Sequence, residues 1–430
     1  MSQAFDIKIS PGGISGNIAA VPSKSHLHRL LICASLADKE TVIKCVHTGA
    51  EDIKATIACL SALGAVIEKI IDGFIVTPIH RDKLPKACIL PCMESGSTLR
   101  FMLPVVCALG ICGEFHLSGR LPERPISSLE AALTRAGIQI SRPKSNIISC
   151  KGQLNYGSFH LPGNISSQYI TGLLLALPLL NGRSRLTITE PIESQSYIAL
   201  TLEVLEAFGE KPKKNLLTHY EIDCNTSFIS PHIISAEGDW SNAAFWLCAG
   251  AMPGGNIQLC GLNKKSLQGD RQICVNLQQI GAVVKWEGKI LNLSEGSRRG
   301  IEIDAANIPD LIPAIAAVAA VSEGTTLIKN AARLRLKESD RLSAITHCLN
   351  TLGANITEEA EGLLIQGVSQ LKGGMVDSFG DHRIAMMAAI ASAACTEPVI
   401  IKNAHTANKS YPNFYEKLSG LGKKIEVQYG

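Results

Sequence analysis

Leu60-Ser61-Ala62-Leu63-Gly64 closes a segment whose ending recurs five more times along this chain of 430 residues. Every copy has the form Leu-x-x-x-Gly, and successive glycines lie 69 to 73 residues apart. The other five copies are Leu133–Gly137, Leu205–Gly209, Leu277–Gly281, Leu349–Gly353 and Leu418–Gly422. A period this regular indicates six copies of one structural unit, so it is interpreted before any local motif.

The repeated ending is typical of the last turn of an amphipathic helix, with glycine in the left-handed position just after the helix. An alternating apolar strand follows four of the glycines, for example Ala65-Val66-Ile67. A turn pair such as Asp72-Gly73 then leads to a second apolar run. The end of each unit is therefore predicted to be a helix followed by a β-hairpin.

A second, more apolar helix is predicted earlier in each unit. These segments are rich in Ala, Leu and Ile on every face, which predicts that they are buried. The six are Leu27–Ala37, Leu99–Gly110, Tyr169–Leu180, Ala243–Met252, Ile312–Val321 and Ile384–Ala394. Each unit thus reads as strand-helix-strand-helix-strand-strand.

The predicted fold is α/β, with six βαβαββ repeats divided into two similar domains of three. The last unit is short, because Lys423–Gly430 supplies only one strand after the final glycine. The opening stretch Phe5–Ile9 alternates like a strand and has no helix before it. We infer that this N-terminal strand completes the sixth unit.

Composition excludes several classes of function. A hydrophobic content of 46% and a net charge of +3 describe a globular chain without a bias toward polyanions. The longest apolar runs fall short of the roughly 18 residues that a membrane span needs. The N-terminus lacks the pattern of a signal or transit peptide, and the 14 cysteines include no CxxC pair. We therefore expect a cytoplasmic protein with no metal site.

Polar residues gather before the predicted helices. Ordinary capping accounts for Ser127-x-x-Glu130, Thr48-x-x-Glu51 and Asp239. It does not account for cations, because a positive charge at a helix N-terminus opposes the helix dipole by roughly 0.3–1 kcal/mol. The cations so placed are Lys24, Arg29, Arg100, Arg124, Lys337, Arg341, Arg383 and Lys409. Their number predicts a negatively charged ligand.

Parallel helices within each domain would bring these N-termini to one face, and two opposed faces would form a cleft for small phosphate and carboxylate compounds. Two acids, Asp310 and Glu338, lie among the cations. They could transfer protons, or they could simply neutralise the cations when no ligand is bound. Residue types alone leave both roles open.

Nine short motifs, in chain order, resemble those of the EPSP synthase family of enolpyruvyl transferases. The resemblance runs from about Lys8 to the C-terminus. The motifs are Lys24-Ser25-x-x-x-Arg29, Ser95-Gly96-Ser97-Thr98-x-Arg100, Glu123-Arg124-Pro125-Ile126, Ser166-Ser167-Gln168, Glu237-Gly238-Asp239, Ile308-Pro309-Asp310, Lys337-Glu338-Ser339-Asp340-Arg341-Leu342, Asp381-His382-Arg383 and Asn408-Lys409-Ser410-Tyr411-Pro412.

The resemblance implies an upper domain of residues 22–238, a lower domain of residues 1–21 plus 239–430, and an active site in the cleft between them. It implies transfer of the enolpyruvyl group of phosphoenolpyruvate to the 5-hydroxyl of shikimate 3-phosphate, with release of phosphate. This is a step of the shikimate pathway toward chorismate and the aromatic amino acids. The family uses no metal and no organic cofactor.

The resemblance also implies roles for individual residues. Asp310, Glu338 and Lys24 would be catalytic, with Asp310 taking the proton of the 5-hydroxyl. The residues implied to bind shikimate 3-phosphate are Lys24, Ser25, Arg29, Ser166, Ser167, Gln168, Ser194, Tyr197, Asp310 and Lys337. Those implied to bind phosphoenolpyruvate are Lys24, Gly96, Arg100, Arg124, Gln168, Arg341, Arg383 and Lys409.

Two alternatives stay open at this point. The sister enzyme that transfers enolpyruvyl to UDP-N-acetylglucosamine shares the repeat architecture, although the loop cysteine common in that enzyme has no counterpart near Arg124. A non-catalytic protein that binds anions or RNA is the other, and an aromatic content of only 5% argues against a base-stacking surface. We expect small-molecule substrates, no nucleic acid, no membrane and a monomer.

Overall fold

A computed structural model describes residues 4–46, 49–216, 218–223 and 228–429. These residues divide into two compact units. The contiguous unit contains the described parts of residues 22–46 and 51–236, and the split unit contains residues 4–21, 49–50 and 237–429.

The helices and strands alternate along the chain. The α-helices of the described residues are α1 (Lys24–Leu36), α2 (Glu51–Ala62), α3 (Gly96–Ala108), α4 (Ser127–Arg135), α5 (Ser167–Ala176), α6 (Gln195–Ala207), α7 (Trp240–Ala251), α8 (Ile273–Ile280), α9 (Ile312–Ala319), α10 (Arg341–Thr351), α11 (His382–Ala391) and α12 (Phe414–Gly420). The strands are β1 (Phe5–Ile9), β2 (Ser15–Ala19), β3 (Thr41–Lys44), β4 (Val66–Ile70), β5 (Gly73–Thr77), β6 (Ala87–Met93), β7 (Cys112–Leu117), β8 (Gln139–Lys144), β9 (Ile147–Lys151), β10 (Ser158–Pro162), β11 (Ser184–Thr189), β12 (Lys213–Leu216), β13 (His219–Ile222), β14 (Ile233–Ser235), β15 (Asn256–Cys260), β16 (Val283–Glu287), β17 (Ile290–Ser294), β18 (Glu302–Asp304), β19 (Thr325–Lys329), β20 (Asn355–Glu359), β21 (Gly362–Gln366), β22 (Gly374–Asp377), β23 (Val399–Lys402) and β24 (Ile425–Tyr429).

The described strands form six four-stranded sheets of one topology. Three lie in the contiguous unit, with orders β14-β3-β5-β4, β6-β7-β9-β8 and β10-β11-β13-β12. Three lie in the split unit, with orders β2-β15-β17-β16, β18-β19-β21-β20 and β22-β23-β1-β24. The first two strands of every sheet pair in parallel and the others pair antiparallel. This arrangement confirms the predicted α/β class with six βαβαββ repeats.

Strands distant in sequence complete three of the sheets. β1 pairs with both β23 and β24, so the N-terminal strand supplies the fourth strand of the last sheet. β2 pairs with β15, and β14 pairs with β3. The chain therefore enters the contiguous unit after β2 and leaves it after β14, and the first strand of each opening repeat is distant in sequence from that repeat.

The repeated glycine ends the second helix of each repeat as expected. All six glycines, from Gly64 to Gly422, have φ between 82° and 114°. A side chain is disfavoured in this left-handed region, which explains why the sequence keeps glycine there. In five of the six repeats, the next strand begins two or three residues after this glycine.

The first helix of each repeat is buried on nearly every face, as its composition predicts. In the split unit, α7, α9 and α11 pack against one another. In the contiguous unit, α3 packs closely on α5, where a methyl group on Gly172 would lie 2.2 Å from the carbonyl oxygen of Arg100. Five of the six helices begin two or three residues earlier than predicted, because the mostly polar residues before each apolar run belong to the helix and not to the preceding loop.

One capping prediction is wrong. Ile126, not Ser127, precedes α4, and no side chain caps that helix. Glu130 turns away from the helix start and pairs with Arg142 at 2.5 Å. Asp239 does cap α7, where it accepts from the backbone N–H of Asn242 at 2.7 Å. The predicted capping residue Thr48 lies outside the described residues.

Candidate active site

The predicted site residues of the contiguous unit stand at equivalent places in its three repeats. Lys24, Gly96 and Ser167 are the first residues of α1, α3 and α5. The preceding serine caps each helix through its side-chain oxygen, at 3.3 Å in all three cases. These three helix starts repeat one local structure, and each offers backbone N–H groups that suit an anion.

Two arginines, a glutamine and a glycine meet at the start of α3. Arg100 donates to Gln168 Oε1 at 2.7 Å, and Gln168 in turn donates to Ser97 Oγ at 2.9 Å. A methyl group on Gly96 would lie 2.6 Å from Nη1 of Arg100 and 3.0 Å from Nη1 of Arg124. Both guanidinium groups therefore lie against the bare backbone of Gly96.

The loop after Arg124 is held by two donors. Arg100 Nη2 donates to the carbonyl oxygen of Pro125 at 3.1 Å, and the hydroxyl of Tyr169 donates to the same oxygen at 2.5 Å. Arg100 also lies over the ring of Tyr169, 5.8 Å from its centre. These contacts fix the chain beside Arg124, and Tyr169 is a member of this site that the sequence did not indicate.

Lys24 has a carboxylate partner within its own unit. Its Nζ lies 2.6 Å from Oδ2 of Asp52, which is in the first turn of α2 and largely buried. Acids are common in the first turn of a helix, so no local pattern singles out Asp52. The carboxylate holds the predicted catalytic ammonium in place and offsets its charge.

Arg29, a predicted contact of shikimate 3-phosphate, bonds to groups of three helices of the contiguous unit. Its side chain is buried and donates to two hydroxyls, those of Thr171 and Thr201. It also donates to the carbonyl oxygens of Ser25 at 2.5 Å and Tyr197 at 3.1 Å. This placement favours a role in positioning α1 and α6.

The remaining predicted residues of the contiguous unit lie at the start of α6. Ser194 precedes the helix and is buried, with a left-handed backbone at φ 54°. Tyr197 lies in the first turn and is half-buried. Ser166 and Gln168 are likewise half-buried at the start of α5, so their polar groups remain partly accessible.

In the split unit, Asp310 is surrounded by three cations. Arg341 Nη1 donates to Asp310 Oδ1 at 2.7 Å, and Lys337 Nζ lies 3.4 Å from the same oxygen. Arg383 lies 3.4 Å from the other carboxylate oxygen and donates to the backbone carbonyl of Asp310 at 3.1 Å. The structure thus brings together residues that are up to 73 positions apart in the sequence.

Arg341 is the centre of this cluster and is fully buried. Besides Asp310, it contacts Glu338 at 2.9 Å and grips both oxygens of Asp381 at 2.8 and 3.3 Å. Asp381 also caps α11 and accepts from Ser339. Three carboxylates therefore occupy this guanidinium, which favours a positioning role for Arg341 and identifies Asp381 as its main partner.

The cluster shifts the acidity of its members. Burial alone would raise the pKa of Asp310, but Arg383, Lys337 and Arg341 outweigh it and hold that pKa well below its usual range. Burial lowers the pKa of Lys337 to about 8 despite the nearby Asp310. Asp310 is therefore ionised near neutral pH, and Lys337 is mostly charged.

Lys409 is largely buried at the end of the 3₁₀ segment Ala404–Lys409, which packs against α11.

Comparison with known proteins identifies the family. The profile of the family described as EPSP synthase (3-phosphoshikimate 1-carboxyvinyltransferase) matches residues 9–418. The 3-phosphoshikimate 1-carboxyvinyltransferase of Clostridium beijerinckii is 43% identical, over 97% of both chains. The protein of that name from Clostridium kluyveri is 40% identical, over 98% of both chains. This chain belongs to the EPSP synthase family.

Solved structures agree in fold. EPSP synthase from Acinetobacter baumannii has a TM-score of 0.80 with 24% identity, and the match covers 99% of this chain and 100% of that one. The enolpyruvyl transferase NikO from Streptomyces tendae also has a TM-score of 0.80, with 16% identity over both complete chains. As a member of the EPSP synthase family the chain is a transferase, which confirms the predicted family and enzyme class.

Within the described residues, no helix is long and apolar enough to cross a membrane. No group of three or more His, Cys, Asp or Glu side chains in this part of the chain could hold a metal ion.

Proposed function

We propose that this enzyme transfers the enolpyruvyl group of phosphoenolpyruvate to the 5-hydroxyl of shikimate 3-phosphate, giving 5-enolpyruvylshikimate 3-phosphate and phosphate. The observation that supports this most strongly is the identity of 40–43%, over nearly complete chains, with enzymes named 3-phosphoshikimate 1-carboxyvinyltransferase. The two clusters of cations, each built around helix starts, are the kind of structure that two small phosphorylated acids require.

We assign shikimate 3-phosphate mainly to the contiguous unit. Its hydroxyl and amide groups suit a ring with several hydroxyls, and its helix starts suit the phosphate. The proposed contacts are Lys24, Ser25, Arg29, Ser166, Ser167, Gln168, Ser194 and Tyr197, with Asp310 and Lys337 from the split unit. Arg29 also positions other members of this set through its bonds to the carbonyl oxygens of Ser25 and Tyr197.

Phosphoenolpyruvate would be held mainly by cationic side chains. Arginine forks bind carboxylate or phosphate through two parallel hydrogen bonds, which orients the molecule as well as attracting it. The proposed contacts are Lys24, Gly96, Arg100, Arg124, Gln168, Arg341, Arg383 and Lys409. Of these, Arg341 would also hold Asp310 and Glu338 in place, since those acids and Asp381 accept from four of its five N–H groups.

The reaction needs an acid and a base. The 5-hydroxyl oxygen attacks C2 of phosphoenolpyruvate and loses its proton to Asp310, while C3 gains a proton from Glu338 or Lys24. The tetrahedral adduct then loses a C3 proton and expels phosphate, which regenerates the double bond. Arginines would stabilise the departing phosphate, and a site that excludes water would prevent a competing reaction.

The charges around Asp310 bear on its strength as a base. A carboxylate beside three cations holds protons weakly. Anionic substrates bound at Lys337 and Arg383 would offset those cations and raise the pKa of Asp310. Asp310 would thus become an effective base only when both substrates are in place, so proton removal is tied to a complete site.

The decisive experiment is a phosphate-release assay. Phosphoenolpyruvate is supplied with shikimate 3-phosphate or with UDP-N-acetylglucosamine, and each compound is also tested alone. We expect phosphate and 5-enolpyruvylshikimate 3-phosphate in equal amounts, only with shikimate 3-phosphate. Phosphate release from phosphoenolpyruvate only when UDP-N-acetylglucosamine is the acceptor would assign the chain to the sister reaction. Salt-sensitive RNA binding without phosphate release would favour the non-catalytic alternative.

The contact of Gly96 with two guanidinium groups leads to a prediction about phosphoenolpyruvate. In Gly96→Ala, the new methyl group must push Arg100 and Arg124 away, since it would otherwise lie 2.6 and 3.0 Å from them. Misplacing a binding group by about 1 Å can cost up to 100-fold. We expect KM for phosphoenolpyruvate to rise at least about tenfold, with little change in KM for shikimate 3-phosphate.

The matched control is Gly420→Ala. Gly420 lies in α12 and has open space where the methyl group would go. Its replacement should leave both KM values unchanged in steady-state kinetics. Equal KM values for phosphoenolpyruvate in the two variants would contradict the proposed role of Gly96.

We propose in addition that the enzyme works as a cytoplasmic monomer. All the proposed contacts come from one chain, so the site needs no second copy. Light scattering during gel filtration would test the monomer, and fractionation of the source cells would test the location.

A further inference from the structure

A buried carboxyl group lies near the Asp310 cluster without an ionic partner among its hydrogen bonds. Asp270 is in the 3₁₀ turn Gly269–Gln272 of the split unit and has no exposed surface. Its Oδ2 accepts from the hydroxyl of Ser241. Its Oδ1 has no hydrogen-bond partner in the described part of the chain. A single neutral donor is poor compensation for a buried negative charge.

The position of Asp270 is fixed by the residues around the start of α7. Gln268 accepts from the backbone N–H of Trp240 at 3.2 Å and donates to the carbonyl oxygen of Gly238 at 2.8 Å. Ser241, the partner of Asp270, is the second residue of that helix. The turn therefore holds the Asp270 carboxyl against the first turn of α7, whose cap is Asp239.

The charged groups that face Asp270 come from several elements. Asp310 precedes α9 and Arg383 is in the first turn of α11, while Asp239 precedes α7. α8 packs beside the turn and contributes one titratable group, Cys274. Burial raises the pKa of Asp270 to about 7; repulsion from Asp310 and Asp239 adds to this, and Arg383 and Ser241 oppose it. Near neutral pH Asp270 is thus divided between its neutral and ionised forms.

We propose that Asp270 is a positioning residue that gains a proton when phosphoenolpyruvate binds, so that the positive charge of Arg383 acts on the substrate and not on a second buried carboxylate. This inference rests on the proposed function, which places phosphoenolpyruvate beside Arg383. The bound anion adds negative charge near Asp270 and so favours the neutral acid. By linkage, the affinity for phosphoenolpyruvate must fall as the pH rises through the range in which free Asp270 ionises.

The test is the pH profile of kcat/KM for phosphoenolpyruvate, at saturating shikimate 3-phosphate, in Asp270→Asn. The amide has the shape of the neutral acid and can still accept from Ser241, but it cannot ionise. We expect the ratio of variant to parent kcat/KM to rise about tenfold between pH 6 and pH 8.5, which corresponds to one unit of pKa change on binding. Because both enzymes are assayed with the same substrate, the ionisation of the substrate affects both kcat/KM values equally and cancels in their ratio. A purely structural role would change it by the same factor at every pH.

Asp239→Asn is the matched control, because Asp239 is a buried carboxylate at the same helix end and asparagine also caps helices. Asp270 keeps its ionisable group in this variant, so kcat/KM should still fall as the pH rises, at a somewhat lower pH because the repulsion from Asp239 is gone. Ser241→Ala provides a second variant, since losing the hydroxyl donor should move the fall in kcat/KM to higher pH. A flat profile for the Asp270→Asn ratio would overturn the inference.

Calorimetry gives a readout that needs no turnover. Phosphoenolpyruvate alone is titrated into each protein at pH 7.5, in buffers with different ionisation heats. The parent and Asp239→Asn should take up more protons per bound ligand than Asp270→Asn. Equal uptake by the parent and Asp270→Asn would refute the inference even if phosphate release supports the proposed function. Unequal uptake would support it even if the acceptor proved to be another compound.

Discussion

Replacing Asp310 by asparagine is expected to lower kcat by roughly 100- to 10,000-fold, the usual contribution of a positioned general base. Asparagine keeps the size of the side chain and can accept from Arg341, but it cannot take the proton of the 5-hydroxyl. KM for phosphoenolpyruvate should change only a few-fold, because the proposed anion contacts remain. Steady-state kinetics at saturating concentrations of both substrates measures this effect.

Asp304→Asn is the control for that variant, since Asp304 is an exposed aspartate a few residues earlier, at the end of β18. Its kcat should equal that of the parent. Circular dichroism and urea unfolding should first establish that both variants are folded. A folded Asp310→Asn enzyme with undiminished kcat would show that another group accepts the proton.

Replacing Arg341 by methionine should destabilise the split unit by about 3–5 kcal/mol, the cost of breaking a buried ion pair from one side. Methionine fills much of the space but leaves Asp381 fully buried, with Ser339 and the backbone N–H of Arg383 as its remaining hydrogen-bond donors. Asp310 and Glu338 would also lose their contacts with this guanidinium. Urea unfolding followed by circular dichroism measures the change in free energy.

Arg335→Met is the control that distinguishes the effect of burying an arginine from the effect of its number of carboxylate partners. Arg335 also contacts two carboxylates, Asp340 at 2.9 Å and Glu358 at 2.6 Å, but near the surface. Exposed pairs contribute about 0–1 kcal/mol, so this variant should stay close to the parent. Similar losses in the two variants would mean that the buried network is not what stabilises this region.

The sequence predicted the fold well because a repeat imposes the same constraints six times. The glycine after each second helix and the apolar first helices follow from local rules, and all are present. The predicted positions of the helix starts were less accurate, since serine and aspartate serve equally as caps and as loop residues. At Ser127 the rule failed because Glu130 had a better partner in Arg142.

The site was predicted as a set of residue types and less well as a set of contacts. Spacing along the chain shows where cations gather, but it does not show that Asp52 meets Lys24 or that Thr201, 172 positions away, meets Arg29. Asp270 has no motif at all and becomes visible only through its burial. Which carboxylate meets which cation is decided by packing between repeats, and no local pattern records it.

The placement of β1 between β23 and β24 has a consequence for biosynthesis on the ribosome. The contiguous unit has all its strands once β14 has been made, so it can fold while the remainder is still being translated. In contrast, β2 stays unpaired until β15 has been made, and β1 stays unpaired until β23 and β24 have been made. Unpaired strand edges invite association with other chains. The order of synthesis therefore leaves β1 without its partners through the translation of everything up to β23, and chaperone contact during translation would be most useful at this strand.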